Sequence, residues 1–422
     1  MRNWFLFLPL SVIVLSCGLS EVGNTGLKGS GNLIWGGPPG NSAGGGTNLM
    51  PVCYMTAADY AKGYDWRADV ARETVRCSLV VYADGITAMK VPAGESYEIS
   101  SDPDMHRIVG GHLYTDYSSS GETIIKKNGT FLFSYPAEEH ISDMRVIGED
   151  VFTLGEARSG DGFSFRKNGL TKVFRENGSL IGSLKSCGDS LTFTFCEEIR
   201  SAEGSHMRYY SVNGSKVSQI ALRDDIVRVW DAMQIEDEVI YIATLTGVPQ
   251  PVVVMQEKMY ALNMPKGATM ISCSMFRLGQ KTGVEGLYRT SAGVRNSALW
   301  INGECVETFA GLTISALCTE GDGIFCVMNP PSSSSQGSIY RAGEIYEMPR
   351  GYACMGNQSL AVVGGIMYVG LSSYTGENPL LWKDGQTTRL NVNGYISSLT
   401  CDGLQQETRV MLPRSMCGTG LD

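Results

Sequence analysis

Groups able to do chemistry are few in this chain, and one stretch concentrates them. Between Ala57 and Arg76, Tyr60, Tyr64, Asp65, Trp66 and Arg67 set three aromatic rings beside an acid and a base. Flat rings stack on the faces of sugars while a carboxylate and a guanidinium bind their hydroxyls, and the same set equally suits a protein partner. The competing reading is packing, with Tyr64 and Trp66 folded back over the edge of the first structural unit. Arg200, His206, Tyr374 and Glu377 are further candidates for ligand contact, by position rather than by motif.

The remaining polar residues assemble no enzymatic constellation. His106, His112, His140 and His206 stand at no metal-ligand spacing and no Cys-x-x-Cys occurs, so neither a metal nor another cofactor is expected. Gly40-Asn41-Ser42-Ala43-Gly44 matches a hydrolase nucleophile elbow in letters, but that elbow needs a strand before it and a helix after it. Its Gly-rich surroundings favour neither. Gly188-Asp189-Ser190-Leu191 spells a lipase–esterase signature, yet the partner Asp-x-x-His is missing and a hairpin turn is the simpler reading. No catalytic residue is assigned.

Of 422 residues, 43% are hydrophobic, which sustains a sizeable core and excludes general disorder. A formal net charge of −9 repels phosphate backbones, so no nucleic-acid partner is expected. The 51 Gly, with 19 Tyr and 13 Phe, point to short strands joined by tight turns.

Residues 1–17 carry one positive charge at Arg2, an apolar run from Trp4 to Leu15, then Ser16 and Cys17. This is a signal peptide, too short to cross a bilayer with ease. Its end, Val14-Leu15-Ser16-Cys17-Gly18, resembles the lipobox of bacterial lipoproteins. The resemblance implies that Cys17 is the lipidated N-terminus of the mature protein, whose acyl chains are its membrane anchor. The alternative is an ordinary signal peptide with an incidental Cys. A lipidated Cys implies a cell-envelope location, and Gly18 after it implies sorting to the outer membrane, on its periplasmic or surface face. Residues 18–51, rich in Gly, read as a flexible tether.

From residue 52 the chain repeats. Asp84-Gly85, Asn128-Gly129, Asn168-Gly169, Asn213-Gly214, Asn302-Gly303, Ala342-Gly343 and Asp384-Gly385 recur every 40–45 residues, apart from one double interval. Asn-Gly between strand-like runs marks a type I′ hairpin, whose two central residues take positive φ. Ala342-Gly343 is a weaker member and Glu257-Lys258 fills the double interval, which gives eight units. Residues 141–174 show one in full: strand A to Val146, strand B from Val151, strand C from Phe163, the Asn168-Gly169 turn, then strand D from Leu170.

Four strands in such a period predict an all-β fold, an eight-bladed β-propeller of four-stranded blades, with seven blades as the alternative count. Leu381-Trp382-Lys383-Asp384-Gly385 and Leu299-Trp300-Ile301-Asn302-Gly303 resemble the Trp-Lys-Asp/Asn-Gly blade hairpin of secreted propeller lipoproteins. That resemblance covers 52–403 and implies no catalytic activity. The first unit begins at strand B, Val52-Cys53-Tyr54-Met55, while Tyr395 to Thr400 reads as a strand A with no B behind it. The C-terminal strand should therefore complete the first blade, a three-plus-one closure that leaves no open edge. Residues 404–422 form a tail without repeat signal. Among the eleven cysteines beside Cys17, the pairs Cys318 with Cys326 and Cys53 with Cys77 are disulfide candidates, the alternative being buried core thiols.

Strands alternate in direction, so A–B and C–D turns share one face and B–C and D–A loops the other. The first set reads as tight, Gly279–Gly283 excepted. The B–C set, including Ala57–Arg76, Asp116–Glu122, Glu197–Met207, Asn329–Gly337 and Ser372–Pro379, reads as long and chemically varied. A rigid scaffold presenting such loops makes theirs the expected binding face. Two functions remain. One is a non-catalytic binding module on the cell envelope, with a glycan or an envelope protein as partner. The other is an envelope carbohydrate-active enzyme, a lyase or glycosidase working at the channel mouth. The lack of a readable acid–base pair favours the first.

Overall fold

The structure, a computed structural model, describes residues 53–62, 78–83, 85–91, 106–109, 112–119, 122–136, 139–157, 162–187, 190–201, 204–235, 238–255, 258–279, 281–354 and 359–401. Every regular element among them is a strand, so no described helix is available to cross a membrane.

Turn chemistry sets the architecture. Asn128, Asn168, Asn302 and Asp384 have φ of 50°, 50°, 49° and 43°, each followed by a Gly at 77–89°. This is the left-handed pair that a type I′ turn requires, and Asn, Asp and Gly enter that region at least cost. The side chain has a second use. The Asn168 N–H donates to Val151 O at 2.7 Å while Asn168 Oδ1 accepts from Val151 N–H at 2.8 Å. Asn128 grips Leu113 in the same way (2.7 and 2.9 Å), as Asp384 grips Met367 (3.2 and 2.9 Å). These three C–D turns are thereby clipped to the start of strand B. Ala342, at φ 48°, keeps only the backbone half of the clip, its N–H on Ile324 O at 2.9 Å. The fourth turn lies one residue later than its Asn-Gly pair suggests. Asn213 pairs with Lys216, leaving Gly214 (φ 59°) and Ser215 central, the pattern of a type II′ turn.

The eight units become eight antiparallel sheets in the order A-B-C-D, with A strands of successive sheets side by side around the axis. This is the eight-bladed propeller, not the seven-bladed one. Blade 3 is representative: Glu139–Ile147, Asp150–Ala157, Phe163–Lys167 and Leu170–Arg175. Its A–B ladder shifts register between Ile141 and Asp143, and blades 1, 5, 6 and 7 carry a similar A–B bulge, which adds twist near the axis. In blade 8 strand A comes as Tyr352–Ala353 and Leu360–Val363, both paired with Ile366–Ser373. Blade 1 joins Cys53–Asp59, Ser78–Ala83 and Ile86–Val91 to Ile396–Cys401. Tyr54 faces Thr400, Met55 faces Leu399, and Thr56 Oγ1 lies 2.7 Å from Ser398 Oγ, so the ring closes three-plus-one.

The core lies between blades rather than at one centre. Phe163 and Phe165 of blade 3 pack on Phe193 and Phe195 of blade 4, with ring centroids 4.9–5.6 Å apart. Trp300 and Trp382, the hairpin tryptophans, are buried against the preceding blade, and Trp300 Nε1 donates to Asn263 O at 3.0 Å. Buried ions tie the inner strands together. Asp231 of blade 5 accepts Lys185 Nζ of blade 4 at 3.0 Å and Met275 N–H of blade 6 at 2.8 Å, one carboxylate spanning three blades. Arg107 of blade 2 reaches Asp143 of blade 3 at 3.3 Å.

The candidate disulfide between Cys318 and Cys326 does not fit this register. Cys326 stands opposite Leu317 and Cys318 opposite Phe325, so the two cysteines occupy opposite faces of blade 7, in separate hydrophobic clusters. Ser78, the neighbour of Cys77, pairs with Asp59, six positions along the strand from Cys53. Cys77 itself lies outside the described residues. Gly279–Gly283 is also a tight turn after all, because Leu278 pairs with Lys281.

The clip makes a paired prediction. Asn168→Ala should cost about 1–2 kcal/mol, losing both the tolerated positive φ and the bond to Val151. Ala342→Asn should add about 1 kcal/mol by completing the clip on Ile324. Chemical denaturation of both variants beside the parent reads the two signs; a destabilised Ala342→Asn contradicts the account.

Candidate functional site

The sequence-derived candidates within the described residues all fall on the B–C face, but they form two groups. Arg200 and His206 belong to blade 4. What reads as the Glu197–Met207 loop is a continuation of strands Ser190–Ser201 and Gly204–Asn213, paired out to Ser201 and Gly204. Strand A supports this hairpin only as far as Glu197, and strand D only as far as Tyr210. Its tip therefore projects from the ring as a two-stranded ribbon. There Arg200 donates to Glu198 at 2.8 Å in an exposed ion pair, and His206 is exposed opposite Ile199. The Asp116–Glu122 segment is likewise strand nearly throughout, since Ser119 pairs with Glu122.

Tyr374 and Glu377 sit on blade 8, across the ring from blade 4, so the fold does not bring the two groups together. The Ser373 hydroxyl accepts the N–H groups of Thr375 and Glu377 at 3.0 and 3.1 Å, and Tyr374 N–H donates to Gly351 O at 2.7 Å. This fixes the loop and leaves the Tyr374 side chain partly exposed, its hydroxyl pKa raised by burial and then by Cys354. Glu377 Oε2 accepts Tyr352 OH at 3.1 Å and Arg389 at 3.2 Å. Burial, then the Glu377 bond, raises the Tyr352 hydroxyl. Next in the ring is Tyr60, at the end of strand B of blade 1. Its N–H donates to Asn393 O at 2.9 Å and its ring lies 6.4 Å from that of Tyr395. The arrangement offers aromatic rings, an acid and a base on one rim, a set able to bind polar ligands. Tyr64, Asp65, Trp66 and Arg67 lie outside the described residues, as does Cys17.

A second polar region went unread in the sequence. At the same end of the ring, blades 2 and 3 meet through a group of buried polar side chains beside their apolar cluster. Asp116, Thr123 and Tyr135 of blade 2 confront Glu139, Thr153, Ser164 and Arg166 of blade 3, each at most 8% exposed. Glu139 accepts the Ser164 hydroxyl and both Arg166 nitrogens (2.6 and 3.3 Å), and the Arg166 guanidinium lies 4.2 Å over the Tyr135 ring. Burial first, then Asp116, pushes the Tyr135 hydroxyl far above its ordinary pKa, with Thr153 and Arg166 opposing. Thr123 Oγ1 is buried without a hydrogen bond, while Tyr135 OH and Thr153 Oγ1 approach each other outside good hydrogen-bond geometry. Polar groups so placed can hold ordered water inside the interface. Nearby, burial raises the Glu156 carboxyl from 4.5 to about 7, opposed by Ser142, and its Oε1 makes no hydrogen bond. No three His, Cys, Asp or Glu side chains among the described residues gather to hold a metal.

No family model matches the chain, and no curated protein matches it in sequence. Solved structures with some likeness include an acylaminoacyl peptidase of Pyrococcus horikoshii (10% identity, TM-score 0.42, covering 79% of this chain and 56% of that one). Oligopeptidase B of Trypanosoma brucei (9%, 0.40, 69% and 48%) and a prolyl endopeptidase (10%, 0.40, 70% and 49%) are comparable. The chain spans about half the length of these enzymes. Identities and TM-scores this low transfer no property to it.

Glu156 makes stability depend on pH. Between pH 4.5 and about 7 the unfolded chain releases a proton that the folded chain retains, so folding weakens as pH rises through that window. Glu156→Gln should match the parent near pH 4 and gain on it to a plateau of at most about 3 kcal/mol above pH 7. Thermal melts of both proteins from pH 4 to 8 check this; a constant difference contradicts it.

Proposed function

We propose that this protein is a non-catalytic binding module of the cell envelope, holding a glycan or an envelope protein on the B–C face of its propeller. One observation carries the reading. The chain enters the ring at Cys53 and leaves at Cys401, directly opposite each other at the tight-turn end of blade 1. Tyr60, Tyr374, Glu377 and the blade 4 ribbon all lie at the other end. With Cys17 lipidated and residues 18–51 as a flexible spacer, the attachment point would lie at the end of the ring opposite the candidate binding face and leave that face unobstructed. Tyr374 supplies a flat, partly exposed surface on the same loop as Glu377, which pairs with Arg389, the chemistry of sugar stacking and of aromatic protein anchors.

A carbohydrate-active enzyme is the second reading, favoured by Glu156 alone: a carboxyl near 7 is poised to donate or take a proton at neutral pH. Polysaccharide turnover lost in Glu156→Gln would support it.

The soluble form beginning at Leu49, applied to a glycan array and to envelope extracts in pull-down, should capture a partner. Tyr374→Ala should then weaken binding about tenfold or more with the melting temperature unchanged. Lost stability with unaltered affinity would remove Tyr374 from the binding face. The anchor is tested separately: Cys17→Ala should leave the membrane fraction after a high-salt wash, and retention there contradicts lipidation.

A further inference from the structure

We propose that Cys53 and Cys401 form a disulfide that locks the ring at its closure. The two residues are directly opposite in the ladder between the first and last strands, and theirs is the one cysteine pair among the described residues in direct register. The class of that position follows from the ladder. Ala58 N–H donates to Tyr395 O at 2.9 Å, which makes Ala58 a hydrogen-bonded position. The bulge near Ser397 sits on the C-terminal strand, so alternation along Cys53–Asp59 is unbroken. Thr56 and Tyr54 are then hydrogen-bonded positions, and Ala57, Met55 and Cys53 are not.

At a non-hydrogen-bonded pair the Cα atoms stand about 4.5 Å apart, inside the range a disulfide accepts. Directly opposite residues share one face of the sheet. The Cys53 side of blade 1 is tightly packed: Cys53 is 2% exposed in a cluster with Met55, Ala57, Ile396 and Leu399. A bond formed there is shielded from reductants.

Oxidation needs a disulfide donor, of which oxidised glutathione is the simplest. One thiolate attacks the donor S–S bond and displaces the first donor thiol. The second thiolate attacks the resulting mixed disulfide, forms the Cys53–Cys401 bond and displaces the second donor thiol. The two cysteine protons pass to the two donor thiols, and the two electrons reduce the donor. The closed loop contains all eight blades, the case in which cross-linking restricts the unfolded chain most.

The test refolds the full chain with oxidised and reduced glutathione, then alkylates it in denaturant without reduction. Peptide mass spectrometry should find the Cys53 and Cys401 peptides linked and unalkylated. On a non-reducing gel the looped chain should run ahead of the reduced one, and reductant should lower the melting temperature by roughly 3–7 °C. Cys401→Ser should abolish both the gel shift and the reductant effect; Cys53→Ser is the second arm. Alkylation of both cysteines in the oxidised sample, or a gel shift that survives in Cys401→Ser, overturns the proposal.

Discussion

The grip of Asn168 on Val151, repeated by Asn128 on Leu113 and Asp384 on Met367, fixes where a blade ends and what its neighbouring strand does there. A two-residue turn needs positive φ twice, and L-residues with bulky side chains resist that conformation. Asn meets the dihedral demand and places a side-chain carbonyl where the ladder would otherwise end on an unpaired N–H. Sheets finished this tightly leave little chain on their own face. Among the described residues, length variation, and with it chemical variety, is displaced to the opposite end of the ring.

That constraint also explains what was legible beforehand. The turn demands specific residues, so its period survives in the sequence, and the blade count and closure followed from it. Ala342 and Gly214 show its limits, since a backbone bond alone sustains the first and a shifted register the second. Loop lengths were harder to read. Glu198 to Met207 carries no breaker strong enough to distinguish a ribbon from a loop, and only the pairing of Ile199 with His206 decides. Face assignment fails when counting is one residue off, as for Cys318 and Cys326.

The polar contact between blades 2 and 3 was illegible for a different reason. Glu139, Thr153 and Arg166 are separated in sequence and each looks like the polar half of an alternating strand. Only the packing of two blades shows that these positions face inward. A buried pair such as Glu139–Arg166 is a poor source of net stability, because desolvation offsets most of its attraction. Its geometric demands are strict, however: a misregistered neighbour would leave a charge unpaired. Asp231, held by groups from two adjacent blades, makes the same demand at the axis. The apolar interfaces supply cohesion and the ionic ones supply register.

Closure has a kinetic side as well. Thr56 and Ser398 touch across 342 positions of sequence, whereas blades 2 to 7 are each assembled from neighbouring segments. Contacts of such separation are slow to form because the chain's entropy must be surrendered first. Blades made early would stand beside an incomplete first sheet, whose strand Cys53–Asp59 keeps an unpaired edge until the last strand arrives. That edge is a template for the wrong partner as well as the right one. The hazard is greatest during synthesis, and a chaperone able to cover one strand edge would address it.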